Sequence, residues 1–147
     1  MKSEKILNNK RSLPRGLRNC NPGNIRHSTV RYKGEVTPCS DKAFRQFESM
    51  AWGYRAMFVL LHTYAKKHGC YTIRSIISRY APPSENNTEA YIRRVSLGAG
   101  IDDTTRIETL DHQSMIPIVC AMSEVENGVT ALRSEVEEGW RLFRADF

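Results

Sequence analysis

The chain has 147 residues, of which 40% are hydrophobic and 26% charged, with nine Gly, six Pro and a net charge of +6. That composition describes one soluble globular domain with its own core, and it excludes whole-chain disorder, low complexity and a disulfide-stapled miniprotein. No apolar run approaches the ~20 residues of a membrane span, and Met1–Asn9 is polar and charged, so synthesis in the cytoplasm without a signal peptide is the expectation.

In chain order, residues 1–13 are predicted to be a flexible basic arm, and residues 14–147 one domain. Pro14–Arg26 is dense in Asn, Gly and Pro and reads as irregular backbone. Thr29–Thr37, with β-branched residues around Lys33-Gly34, predicts a short β-hairpin. Ser49 is a candidate N-cap for a helix with Trp52, Ala56, Val59, Leu60 and Tyr64 at helical spacing, stopped by Gly69. Thr72 caps a second helix carrying Ile73, Ile76, Ile77 and Tyr80, which Pro82-Pro83 cannot continue. Another follows Thr88, with Tyr91, Ile92 and Val95 inward. Ser114–Asn127 predicts a helix in which Ser114 is the cap and Pro117 lies in the first turn. Ser134-x-x-Glu137 reads as a capping box opening a last helix that buries Val136, Trp140 and Phe143. The expected class is mainly α, with a small β element.

Charge is divided unevenly. Residues 1–80 hold 16 Lys/Arg against 4 Asp/Glu (+12), and residues 81–147 hold 6 against 12 (−6). Such asymmetry suggests an anionic partner for the first half, the alternative being a solvated basic tail on a domain of mixed faces. Cys20, Cys39, Cys70 and Cys120 are too widely spaced for a zinc or redox motif and read as reduced thiols; no metal or cofactor signature is present. His62, His68 and Cys70 cluster, but Lys66, Lys67, His68 and Gly69 are accounted for as the last turn and stop of a helix.

One carboxylate stands out. On a helical wheel of about 100° per residue, Glu126 falls within about 40° of Met115, Val119 and Met122, in the middle of an apolar stripe, while Glu124 falls on the opposite face. Burial on the stripe and the negative end of the helix dipole, which Asn127-Gly128 marks, both favour the protonated carboxyl. That is the state a general acid needs to protonate a glycosidic oxygen near neutral pH. The alternative is that the stripe ends earlier and Glu126 reaches solvent or pairs with an Arg.

Three motifs carry a resemblance. Residues 15–26 read RGLRNCNPGNIR; residues 80–92 run from Tyr80-Ala81-Pro82-Pro83 through Glu85-Asn86 and Thr88 to Tyr91-Ile92; residues 125–128 read VENG. With D-x-A-F-x-Q-F at Asp41–Phe47 and G-x-R-A at Gly53–Ala56, they resemble a family of phage and prophage structural proteins with a lysozyme-like domain, over about residues 14–140. Departures are Cys20 for a usual Asn, Tyr80 for a usual Trp and Val125 for a usual His; none removes a carboxylate.

The resemblance implies a lysozyme-like fold acting on peptidoglycan. Related lytic transglycosylases and glucosaminidases carry the catalytic Glu at a helix end and the Asn/Gly-rich segment later, so the order here resembles theirs rotated, a circular permutation. It makes Glu126 the catalytic residue of a peptidoglycan-cleaving enzyme, of lytic transglycosylase or muramidase/glucosaminidase type, acting on the β-1,4 glycan linkage. Asn19, Asn21 and Asn24 are candidates to bind sugar hydroxyls and N-acetyl groups, or else to satisfy loop backbone. Tyr32 and Tyr80 are candidate stacking aromatics, and Trp52 reads more readily as core. Glu85 belongs to the family motif, with a turn or capping role as its alternative. Glu35, Glu48 and Asp41 read as surface or dipole charges, so no second catalytic carboxylate is evident, which favours single-acid chemistry.

The rival from another class is a non-catalytic virion structural or cell-wall-binding module. Nucleic-acid binding rests on charge alone, without a helix-turn-helix, RNA-binding or zinc-finger signature. Expected partners are bacterial peptidoglycan and, for delivery, virion or secretion-apparatus proteins. Deleting residues 1–12 removes four cations and Glu4, a net +3, and no predicted core element. The truncated protein is expected to keep its thermal stability and to bind purified cell walls more weakly at low salt, the difference closing as salt is added. Equal low-salt binding in a sedimentation assay would make the arm irrelevant.

Overall fold

The computed structural model describes residues 13–147; the arm predicted at the N-terminus lies, apart from Leu13, outside the described residues. Six helices occur among those residues: α1 (Arg15–Arg18), α2 (Met50–His68), α3 (Ile73–Tyr80), α4 (Thr88–Ala99), α5 (His112–Asn127) and α6 (Arg133–Arg144). The chain is mainly α.

The first long helix begins and ends where its sequence says. Ser49 Oγ accepts from the Trp52 amide at 3.3 Å, and Gly69 closes the helix in the left-handed conformation (φ 64°) after Lys66, Lys67 and His68. Thr72 and Ser75 form a reciprocal capping box on α3. Asn87, one residue before the predicted start, caps α4 through the Ala90 amide, and Tyr91, Ile92 and Val95 are buried as their spacing requires.

Two starts differ from expectation. Asp111, not Ser114, caps α5, accepting from the Gln113 amide at 3.1 Å; Ser114 lies inside the helix and donates to Asp111 at 3.1 Å. Pro117 therefore stands in the second turn, where a missing amide costs about 3 kcal/mol. Met115, Ile118, Val119 and Met122 on the same helix are fully buried, each contributing roughly 1.5–3 kcal/mol, so packing prevails over propensity. The capping box predicted at Ser134 does not form. Helix α6 starts at Arg133 behind Leu132, with no side-chain cap, and Glu137 pairs with Arg133 at 3.2 Å instead.

The hairpin predicted over residues 29–37 is replaced by pairing with a distant segment. Residues 43–48 form a spine with one neighbour on each edge: Arg45 and His27 amides donate to Ile25 and Ala43 on one side, Val36 and Glu48 amides to Gln46 and Gly34 on the other. Antiparallel bridges Arg26–Phe44 and Glu35–Phe47 are the β structure among the described residues. Gly34, at φ 83°, packs directly on the Trp52 indole, which makes Trp52 the floor under this turn.

Helix α2 runs through the centre, with Tyr54, Ala56, Met57, Phe58, Leu61 and Ala65 buried. Helix α6 lies along it, α4 lies along α5, and α1 touches α5. Trp140 meets Phe58 edge-on at 5.0 Å, and Phe143 stacks on Phe58 at 5.9 Å. No helix of the described residues is long and apolar enough to cross a membrane.

The α2–α6 contact is set by one small residue. A Cβ on Gly139 would stand 2.6 Å from Tyr54 Cβ and 3.0 Å from the Ala51 carbonyl, atoms that cannot swing aside. Alanine is favoured over glycine in a helix by about 1 kcal/mol, but overpacking costs about 1–3 kcal/mol. Gly139→Ala is therefore expected to lower unfolding free energy by up to about 2 kcal/mol in urea titration; stability higher than wild type would show that the two helices separate without cost.

Candidate functional site

The segment Asn19–Arg26 is a loop held from three sides, and its asparagines divide the work. Asn21 is fully buried: its amide nitrogen donates to Ile25 O (3.0 Å) and Arg45 O (2.9 Å), and its oxygen accepts from the Ile25 amide (2.9 Å). Those bonds commit both ends of its amide to the backbone, which is the loop-satisfying alternative and not a sugar contact. Asn19 donates to Asp41 at 2.9 Å and accepts from Gln46 at 3.1 Å, lining an open depression with Arg15, Arg18 and Lys42. Glu126 does not line that depression.

Asn24 is the one that reaches Glu126. It takes the left-handed conformation (φ 49°), which Asn tolerates better than most residues, and its amide donates to Glu126 Oε1 at 3.0 Å across 102 residues of sequence. Asn127, the next residue on α5, donates to Pro22 O at 2.8 Å and Ser123 O at 2.9 Å. The loop and the end of α5 are thus joined by two consecutive residues. The close approach of the loop to α2 requires Gly53, where a Cβ would run into the Cys20 carbonyl and meet Pro22 Cδ at 2.6 Å.

Glu126 is half-buried, with fully buried Met122 and Val119 behind it. It lines a hollow of about 230 Å³ with Asn24, Arg26, Tyr80, Glu85 and Asn86. Glu85 is exposed there. Asn24, Arg26 and Tyr80 also line a neighbouring hollow of about 310 Å³, walled by Tyr32 and by Leu60 and Tyr64 of α2, so the two hollows adjoin along three shared residues as the two halves of a divided groove. Glu124 is half-buried and lines neither hollow.

Two phenols stand beside the carboxylate. Tyr80 donates to the Gly23 carbonyl, and a Cβ at Gly23 would collide with its hydroxyl. Tyr91 is 5% exposed, and its buried hydroxyl closes no hydrogen bond of ordinary geometry although Glu126 is adjacent. Burial first, then Glu126 for Tyr80 and Tyr80 followed by Glu126 for Tyr91, hold both phenols well above their ordinary value, so both remain neutral. Among the described residues no group of three His, Cys, Asp or Glu is arranged to hold a metal ion.

The sequence singled out Glu126, Asn24, Tyr32, Tyr80 and Glu85, and all five lie on this groove; Asn19 and Asn21 do not. Tyr91, Asn127 and Arg26 stand in the three motifs of the resemblance, but no site role was read for them: Tyr91 was an inward core residue, Asn127 a helix end and Arg26 the end of the Asn/Pro/Gly segment. Polarity on the buried stripe of α4 was the available signal for Tyr91, since a buried tyrosine hydroxyl calls for a partner.

No family model matches the chain. Over 117 residues it is 38% identical to Protein P5 of Pseudoalteromonas phage PM2, a match covering 78% of this chain and 71% of P5. The chain belongs to the family of this phage protein. Its family membership agrees with the phage side of the resemblance carried by the Asn-Pro-Gly motif.

The wall of the open depression is tied by Asp41, which accepts from Arg15 through two bonds of 2.7 Å, from Asn19, and from the Ala43 and Phe44 amides. Arg15 first, then those amides, hold its carboxyl far below its ordinary 3.8. A carboxyl depressed by folding stabilises the fold above its unfolded value, and this contribution fades as pH falls below about 4. Asp41→Asn is expected to lower Tm near neutral pH, with the gap to wild type narrowing steadily as pH falls from about 4. A gap that stays constant in acid would remove Asp41 from this role.

Proposed function

We propose that the protein cleaves the β-1,4-linked glycan strand of peptidoglycan, with Glu126 as general acid and then general base. The observation that carries this reading is the placement of a half-buried carboxylate at the end of α5, lining a hollow of about 230 Å³ and bonded to the amide of Asn24. Protonated Glu126 gives its proton to the glycosidic oxygen as the bond from that oxygen to the anomeric carbon breaks. The resulting carboxylate then takes the proton from the hydroxyl that attacks the anomeric carbon, either water or a hydroxyl of the same sugar. Asn24 fixes the carboxyl group in place through one oxygen and leaves the other for this exchange.

The domain in this reading is lysozyme-like with its elements in permuted order. Support comes from one apolar hollow of about 210 Å³, lined by Leu13 and Leu17 before and within α1 and by Val129–Leu132 after α5. Joining the end of α5 to the start of α1 would require little added chain. A virion-related role fits the phage family, with virion or secretion-apparatus proteins carrying the enzyme to the wall.

Glu126→Gln separates catalysis from structure, because glutamine keeps an oxygen to accept from Asn24 and loses the acidic proton. Release of fragments from purified sacculi is expected to fall by about 10²–10⁴-fold with Tm unchanged, while Glu124→Gln retains activity. Equal activity in both variants overturns the assignment. Wild-type protein that binds sacculi and releases nothing would establish the non-catalytic wall-binding alternative.

A further inference from the structure

Charge is segregated along the groove. Glu126 and Glu85 line one hollow. The other is lined by Arg26, His27, Arg45 and the rings of Tyr32, Tyr64 and Tyr80, and by no carboxylate. Arg45 is buried and bonded to Glu35, so its charge is matched, and its guanidinium lies 4.8 Å over the Tyr32 ring. His27 is committed to the Asp41 carbonyl at 2.8 Å.

Arg26 differs from these. It lines both hollows, its guanidinium lies 4.8 Å over the Phe44 ring, and its backbone is pinned by the bridge to Phe44 and by the Arg45 bond to its carbonyl. No acidic side chain pairs with it among the described residues. A guanidinium already held by an aromatic face loses little freedom when it binds, and its planar fork suits a carboxylate. The tyrosine rings beside it suit the flat faces of a sugar.

We propose that this second hollow is an anion-accepting subsite that takes a peptide-bearing sugar unit of the strand through a free carboxylate of its peptide stem, with Arg26 as the residue that contacts the carboxylate. The inference rests on the glycan-cleaving reading and names the group of the strand that the second hollow takes.

The test uses Glu126→Gln protein, which binds without turnover, and two forms of sacculi: native, and with carboxyl groups converted to methylamides. Binding to native sacculi at low salt is expected to weaken about tenfold on amidation, and about tenfold on adding Arg26→Gln, with no further loss when both changes are combined. Adding Arg26→Lys instead should recover part of the loss. Because Arg26 is exposed, an unchanged Tm is expected for each variant. Arg26→Gln weakening binding equally to native and amidated sacculi would overturn the subsite while leaving the cleavage reading intact. Failure of the Glu126→Gln protein to bind either form, together with inactive wild type, would overturn both.

Discussion

The site depends on a contact between parts of the chain that are 102 to 105 residues apart: Asn24 on Glu126 and Asn127 on the Pro22 carbonyl. The last turn of α5 would otherwise present its carboxylate to water, and the Asn-Pro-Gly loop would lack an anchor on that side. Each partner is prepared locally. Asn21 stitches the loop to Ile25 and Arg45, so that Asn24 can occupy a left-handed conformation without the loop unravelling. Met122, Val119 and Met115 anchor α5 in the core, so its C-terminal turn is held in one place. The glycines of this region matter because of what they admit: at Gly16 a Cβ would stand 2.5 Å from Asn127 Oδ1 and 2.8 Å from Asn24 Oδ1. Three segments therefore meet where Gly16 leaves room for the two asparagine side chains.

The uneven charge of the sequence has a partly internal explanation. Arg74 pairs with Glu89 and Asp103, and Lys33 and Arg55 both pair with Asp146. These basic residues of the first half and acidic residues of the second tie the halves to one another. Such pairs contribute little each when exposed, and Arg55, being buried, is the one for which losing its partner would be costly. What remains for an external anion is smaller than the count of +12 suggests, and part of it, Arg18, Lys42 and Arg26, lines the groove and the depression beside it.

Local signals were legible in the sequence, and nonlocal ones were not. The caps of α2 and α3 could be read because a Ser or Thr before an apolar period acts within one turn. The start of α5 was misplaced because Asp111 and Ser114 both have capping chemistry, and only packing decides that Pro117 is tolerated in the second turn. The strand partner of residues 34–36 is residues 46–48, a choice made by tertiary structure, whereas turn composition around Gly34 pointed inward on itself. At the site, Glu126 was visible as a polar residue on an apolar stripe. Three asparagines in six residues look alike in sequence; Asn19 and Asn21 are taken by Asp41 and the backbone, and only Asn24 is left facing the carboxylate. Cys20 also becomes intelligible: it holds φ 50°, a conformation Asn accepts more readily, which accounts for the Asn that the resembling family places there.

A permuted order has a physical requirement that an ordinary order does not, namely that the old connection be short and the new one lie away from the site. The hollow shared by Leu13, Leu17 and Val129–Leu132 brings the end of α5 and the beginning of α1 to one surface, so the first condition is compatible with this fold. The chain instead continues from Gly128 into α6, which lies along α2 and fills its surface with Val136, Trp140 and Phe143. Residues 133–144 do not line the groove, so α6 adds core to α2 without touching Glu126 or Asn24. The groove and the α6 contact then reside on different faces of α2: Met57 and Leu60 toward the loop and groove, Tyr54 and Phe58 toward α6. One helix carrying both faces explains why its middle, from Gly53 to Phe58, is the longest unbroken buried run of the described chain.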